Sequence, residues 1–282
     1  MKKIIIILTL GFSQIIFSQK VCDISREISK QFYIKKDTTS TIKQLKELKG
    51  NLNDEVNIRV DFALASIYYN LNKKELAKTL FEEILLKKEL TLKDLTFCES
   101  DFSEDLYYPN ILYSQRNWEI RVKSLEYLSK IEFESKNYKE ALVKLDLSLA
   151  EKRKHNKKYT CGNHAYRDII IFEKNRFRIL KKMGLDSLAN SYASKVMFMP
   201  YNNDFLFDIV NSLEKEYPNV NIKGEILNSI SKLKKDSIII DGIKLKMNFF
   251  KLFDKEIAVF YPYSEDKIEI HDYISKRLNQ MK

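Results

Sequence analysis

The strongest constraint on this chain lies between Ile58 and Leu85, where two helical patterns meet at a short polar elbow. Ala63, Leu64, Ile67, Tyr68 and Leu71 fall at helical spacing, Asn72-Lys73-Lys74 interrupts them, and Leu76, Ala77, Leu80, Phe81, Ile84 and Leu85 resume the period. So short a break turns one amphipathic helix back against the next. Ala65 and Ala77 are small enough to let two helices cross closely, and Tyr68 and Phe81 are bulky enough to wedge between them. With only 6 Gly and 4 Pro in 282 residues, turn-makers are scarce, which argues for helices joined by polar elbows and against a β-sandwich.

Two further segments read the same way. Leu125, Leu128, Ile131 and Phe133 lead to Ser135-Lys136-Asn137, then Tyr138, Ala141, Leu142, Leu145 and Leu149 follow. Ile169, Phe172, Phe177 and Leu180 lead to Met183-Gly184-Leu185-Asp186, then Leu188, Ala189, Tyr192, Ala193 and Val196. Aligned on the alanines, Ala77, Ala141 and Ala189 correspond, as do Ala65, Ser129 and Phe177 on the preceding helices.

This arrangement resembles the tetratricopeptide repeat, with a small residue and an aromatic on the first helix and an alanine and an aromatic on the second. The resemblance covers roughly residues 54–198. It departs from the family in spacing: the alanines are 64 and 48 residues apart, against a repeat of about 34. Either insertions or divergent helices separate the hairpins. The resemblance implies an α-solenoid of helical hairpins with a concave groove for a peptide or protein.

The N-terminus reads as an address. Lys2-Lys3 precedes an apolar run from Ile4 to Phe17, with Ile16 and Ser18 at the positions a signal peptidase reads. Fourteen residues are short of the about 20 that span a bilayer. The expected division is a signal peptide at 1–18, a helical repeat domain at 19–199 and an α+β region at 200–282, in a periplasmic or secreted product with no transmembrane span after cleavage. Ile24, Ile28 and Phe32 share one helical face and Ile42, Leu45 and Leu48 another, so the first helices are expected to cap the array.

An exported chain can keep disulfides. Cys98 and Cys161 each follow a hairpin, and on the entropic account a bridge between them would stabilise by about 4 kcal/mol; burial as two free thiols is the alternative. Cys161-Gly162-Asn163-His164 has Cys and His close together, yet only His155 and His271 remain as further histidines, so Gly162-Asn163 reads as a turn and no metal site is expected. No glycine-rich phosphate loop, Gly-x-Ser-x-Gly elbow or His-Glu-x-x-His helix is present. No catalytic residue and no cofactor are therefore expected. The net charge of +10 is spread along helices among acids, so nucleic acid is not the expected partner.

Between the first two hairpins, Phe97 to Pro109 packs four acids and four aromatics into thirteen residues. Phe102, Tyr107 and Tyr108 are the candidate partner-binding residues, on an insertion that shapes or caps the concave face. The competing reading has Tyr107, Tyr108 and Leu112 filling core.

After Pro200 the pattern changes. Phe205, Ile209 and Leu213 make one helix, and Ile222, Ile226, Ile230 and Leu233 another. Period two then takes over at Ile238-Ile239-Ile240, with a turn at Asp241-Gly242, a strand from Ile243 to Met247, a turn at Asp254-Lys255 and a strand from Ile257 to Tyr261. A helix over His271 to Met281 is expected to turn Tyr273, Ile274, Leu278 and Met281 inward. The predicted fold is mainly α, a tetratricopeptide-like solenoid with a small C-terminal region of three antiparallel strands and a helix. The expected function is an exported scaffold that docks a protein or peptide. The alternatives are an effector or hydrolytic enzyme with its active site in the C-terminal region, and a structural component of envelope assembly.

Overall fold

The computed structural model describes residues 23–49, 54–87, 111–112, 117–154, 162–199, 203–240, 243–259 and 267–280. The protein is mainly α, with helices in consecutive packed pairs and a small three-stranded antiparallel sheet near the C-terminus. By backbone proximity it divides into two compact units, residues 1–131 and 132–282.

The first unit contains α1 (23–33), α2 (Thr38–Lys49), α3 (Asp54–Asn70), α4 (Lys74–Leu86) and all but the last turn of α5 (Asn117–Glu134). Its core joins Ile28, Leu45, Leu64, Ala65, Ile67, Ala77, Phe81, Ile84, Leu128 and Ile131. Phe81 stacks on Tyr127 at 4.9 Å and meets Phe62 edge-on at 5.8 Å, geometries in which ring quadrupoles attract. Leu71 and Leu76, at the elbow itself, remain largely exposed. Leu71 follows the last residue of α3 and Leu76 stands in the first turn of α4, and both keep the period of their helices on the outward side.

The second unit contains α6 (Tyr138–Lys154), α7 (Gly162–Lys182), α8 (Asp186–Ser194), α9 (Asn203–Glu216), α10 (Ile222–Ile230), β1 (Lys234–Ile240), β2 (Ile243–Leu252), β3 (Lys255–Val259) and α11 (Lys267–Asn279). Gly162-Asn163, expected as a turn, is instead the first turn of α7. The sheet has the order β1-β2-β3. Ile240 pairs with Ile243 across Asp241-Gly242, which lie outside the described residues. The change of pattern at Pro200 is not a break in packing: Ala189, Val196 and Phe198 share one core with Phe205, Ile226, Phe250, Ile257 and Ile274.

The second hairpin turn differs from expectation by one residue. Leu252 pairs with Lys255, so the turn is Phe253-Asp254 and Lys255 belongs to the ladder. Phe253 takes φ 57, a left-handed conformation that a bulky side chain adopts only at a cost. That conformation closes the turn early and sends Lys255 inward.

Three elbows repeat one backbone device. Asn72, Lys136 and Gly184 all have positive φ, at 58, 65 and 74. In each, the following N–H reaches five residues back, Lys73 to Tyr68, Asn137 to Glu132 and Leu185 to Leu180, at 2.8–3.0 Å. This is the αL closure that satisfies orphan carbonyls at a helix end. Four residues after each elbow's closing residue come Ala77, Ala141 and Ala189, all fully buried. Eight residues after come Phe81, Leu145 and Ala193, and eleven after come Ile84, Ser148 and Val196, all buried.

The first two helices follow the same count. Asp37 caps α2 through Oδ1, accepting from the Ser40 N–H at 2.9 Å. Thr41, Leu45 and Leu48 then occupy the fourth, eighth and eleventh positions, all buried. The αL residue is Lys36, φ 57, and the elbow is one residue wider, since the Asp37 N–H reaches Gln31 O.

Candidate docking face

Phe102, Tyr107 and Tyr108, and the cysteines Cys98 and Cys161, lie outside the described residues. What is described is where that insertion rejoins the first unit. Leu112 is buried in the core, its carbonyl accepts from Arg59 Nη1 at 2.9 Å, and the Ile111 N–H donates to Ser29 Oγ at 2.9 Å. Two polar side chains, one on α1 and one on α3, thus receive the returning backbone. The same unit buries the Asp61 carboxylate completely, with Lys49 Nζ at 2.6 Å and Lys87 Nζ at 2.9 Å. Arg121 Nη1 donates to the carbonyls of Leu85 and Lys87 at 3.3 and 3.0 Å, satisfying the C-terminal end of α4.

In the second unit, α6, α7 and α8 build a face that mixes apolar and fixed charged groups. Val143, Asp146, Leu147 and Ala150 recur at i, i+3, i+4 and i+7 on α6, so they share one side of the helix. All four are exposed, Val143 and Leu147 by 48% and 49%. Beside them, Arg176 on α7 pairs with Asp146 Oδ1 at 2.6 Å and with Glu173 Oε1 at 2.8 Å. Its guanidinium lies between the Phe172 and Tyr192 rings, 4.6 and 4.5 Å from their centroids. Stacking on two rings while bonding two carboxylates fixes the plane of the guanidinium. Burial pushes the Glu173 carboxyl above its ordinary range, against the pull of Arg176. Its Oε2 is buried and makes no hydrogen bond.

The second unit also holds an ionic knot. Lys255 is buried, its Nζ donating to Glu216 Oε1 at 3.1 Å, Tyr217 Oη at 3.0 Å and Asp254 Oδ1 at 3.1 Å. Asn190 Nδ2 donates to Glu216 Oε2 at 2.6 Å. Burial alone would lower the Lys255 pKa, but the bonds to Tyr217, Asp254 and Glu216 outweigh it and raise it well above the usual lysine range. Burial likewise pushes Glu216 up, and hydrogen bonds from Asn190, Ser187 and Lys255 reverse this, leaving it below the usual carboxylate range. A lysine so held is locked in its charged form and ties α9 to the β2–β3 turn, where Phe253 stacks on Tyr217 at 4.1 Å. Nothing in the sequence announced this group, since Lys255 and Glu216 are 39 residues apart.

His271 is exposed on α11, with Asp272 Oδ1 at 3.6 Å and Ser275 Oγ at 3.5 Å from its Nδ1. Among the described residues, no group of three or more His, Cys, Asp or Glu is placed to hold a metal ion. Among them, no helix is long and apolar enough to cross a membrane. No protein-family model, curated protein or solved structure matches the chain.

Proposed function

We propose that the protein is an exported scaffold of tetratricopeptide-like hairpins that docks a peptide or protein partner and carries out no catalysis. The observation that carries this reading is the repeated elbow with its buried column. The αL residue is followed at constant distances by Ala77, Phe81 and Ile84, by Ala141, Leu145 and Ser148, and by Ala189, Ala193 and Val196. Units alike in backbone and in buried positions are what stacking side by side requires. The α6–α8 face supplies a surface suited to a partner: exposed Val143 and Leu147 for apolar contact, with Asp146 and Arg176 in fixed positions for register. Export rests on Lys2-Lys3 and the apolar run Ile4 to Phe17.

A photo-reactive residue placed at Val143 or Leu147, in cells that make the protein, tests this reading. A discrete covalent adduct from these positions, absent when the same residue replaces exposed Lys182, is the expected result. Equal labelling at all three positions, or none at any, would overturn docking on this face.

A further inference from the structure

Two elbows of the first unit repeat a surface pattern that its core does not need. The elbow after α1 reads Ile34-Lys35-Lys36, and the elbow after α3 reads Leu71-Asn72-Lys73, with Leu76 in the first turn of α4. Ile34, Leu71 and Leu76 are exposed by 58%, 43% and 52%, and the three lysines are exposed with them. Both elbows stand at one end of the unit. Tyr69, one residue before the end of α3, meets the Tyr127 ring at 5.1 Å. At the end of α1, the Tyr33 hydroxyl is held above its ordinary range first by burial and then by Tyr127 nearby.

This end carries an excess of positive charge. Over residues 34–37 and 71–76, four lysines stand against two acids, Asp37 and Glu75. Asp37 Oδ1 is committed to capping α2 through the Ser40 N–H. Glu27 lies 3.8 Å from Lys35, both side chains about half exposed, a loose surface pair that neutralises little. Lys36 takes φ 57, where glycine or asparagine is the usual occupant, so a lysine is kept there against the local backbone preference. One layer behind the elbows, Tyr33 and Tyr69 are half-buried.

We propose that this end of the first unit docks on an anionic lipid surface. Ile34, Leu71 and Leu76 enter the boundary between headgroups and acyl chains, and Lys35, Lys36 and Lys73 meet the headgroup charge. Tyr33 and Tyr69 stand behind them, with rings suited to a place where one end is apolar and the other wet. An acidic protein would satisfy the lysines but leave three aliphatic tips to find separate pockets. An apolar protein surface would take the tips and strand the lysines. A lipid boundary accepts both together and asks for no matching shape. So few anchors give reversible attachment to the surface. This inference does not rest on the docking face of α6.

The test uses the chain from Gln19, the form expected after export, because the apolar run Ile4 to Phe17 would enter a bilayer by itself. Flotation is measured with vesicles of phosphatidylcholine alone and of phosphatidylcholine with an equal part of phosphatidylglycerol. Binding to the anionic vesicles, weakened by salt and far weaker on the neutral ones, is the expected result. Lys35→Gln with Lys36→Gln and Lys73→Gln should weaken it at least tenfold, since each lysine near such a surface counts for about fivefold. Equal charge loss elsewhere, by Lys139→Gln with Lys182→Gln and Lys215→Gln on exposed sites of the second unit, should weaken it less than twofold. Ile34→Ser with Leu71→Ser and Leu76→Ser should also weaken it at least tenfold, at unchanged charge. Thermal unfolding checks that each variant folds; should the apolar set not fold, the two lysine sets still decide. Equal weakening by both lysine sets, no preference for the anionic vesicles, or no flotation would overturn the proposal. So would a wild-type dimer that the apolar set makes monomeric, which assigns this end to a second copy of the chain.

Discussion

Each of the two units buries an ionic knot, and the knots are of opposite sign. In the first, a carboxylate is at the centre: Asp61 is wholly enclosed, while Lys49 and Lys87 reach it with partly exposed side chains. In the second, a lysine is at the centre: Lys255 is enclosed, and Asp254 meets it from the surface. Lysine stems are long enough to bring charge inward while most of the chain stays wet. A buried aspartate has no such reach, so it depends on partners coming to it. The first knot should therefore be the more fragile when its partners are removed.

The sharpest way to break that contrast is to strip the partners. Lys49→Met with Lys87→Met leaves Asp61 buried and unpaired, and chemical denaturation should show a loss of about 3–5 kcal/mol. Lys255→Met removes a charge whose carboxylates can turn to water, so the same measurement should give a smaller loss, about 1.5–3 kcal/mol. A larger loss at Lys255 than at the lysine pair would reverse the comparison.

The units can also be compared through their alanines. Ala77 in the first and Ala189 in the second are fully buried at the same step after the elbow. Leucine at either should overpack the crossing and cost about 1–3 kcal/mol, whereas Ala150→Leu on the exposed side of α6 should be near neutral. The elbows separate by residue type. Gly184 meets nothing where a Cβ would stand, so Gly184→Ala should cost only the backbone strain of φ 74, about 1 kcal/mol. Lys136→Gly should gain slightly less than that, read as a rise in Tm.

Acid offers the smallest and most local test. Glu216 has a folded pKa below its unfolded one, so its contribution is present above the unfolded carboxylate range and is lost as pH falls through the folded value. Glu173 has the reverse sign: its raised pKa means that ionisation works against the fold, and the deficit disappears as pH falls. Glu216→Gln should flatten the acid loss, and Glu173→Gln should stabilise at pH 7 but not at pH 4. Both are read from denaturation midpoints across pH.

The helical hairpins are legible because burial follows spacing: Ala77, Ala141 and Ala189 align by sequence alone, and all three are enclosed. Thr41 holds the corresponding position on α2, but its hydroxyl hides the resemblance; it is buried because Oγ1 donates to Asp37 O at 2.7 Å. On α11, Ile274 and Leu278 were correctly expected inside, while Arg277 between them was not, since a charged residue reads as solvated until its neighbours are known. The Asp61 and Lys255 knots and the Arg176 stack join residues far apart in sequence, and no period encodes such pairings.

By itself, the sequence determined the helical period, the polar elbows and the antiparallel strands, because these depend on neighbours a few residues apart. Tertiary structure alone decided which charges are buried, and that Phe253 would turn left-handed and draw Lys255 inward. Those outcomes depend on desolvation and on partners from distant helices, and both exist only once the chain has closed on itself.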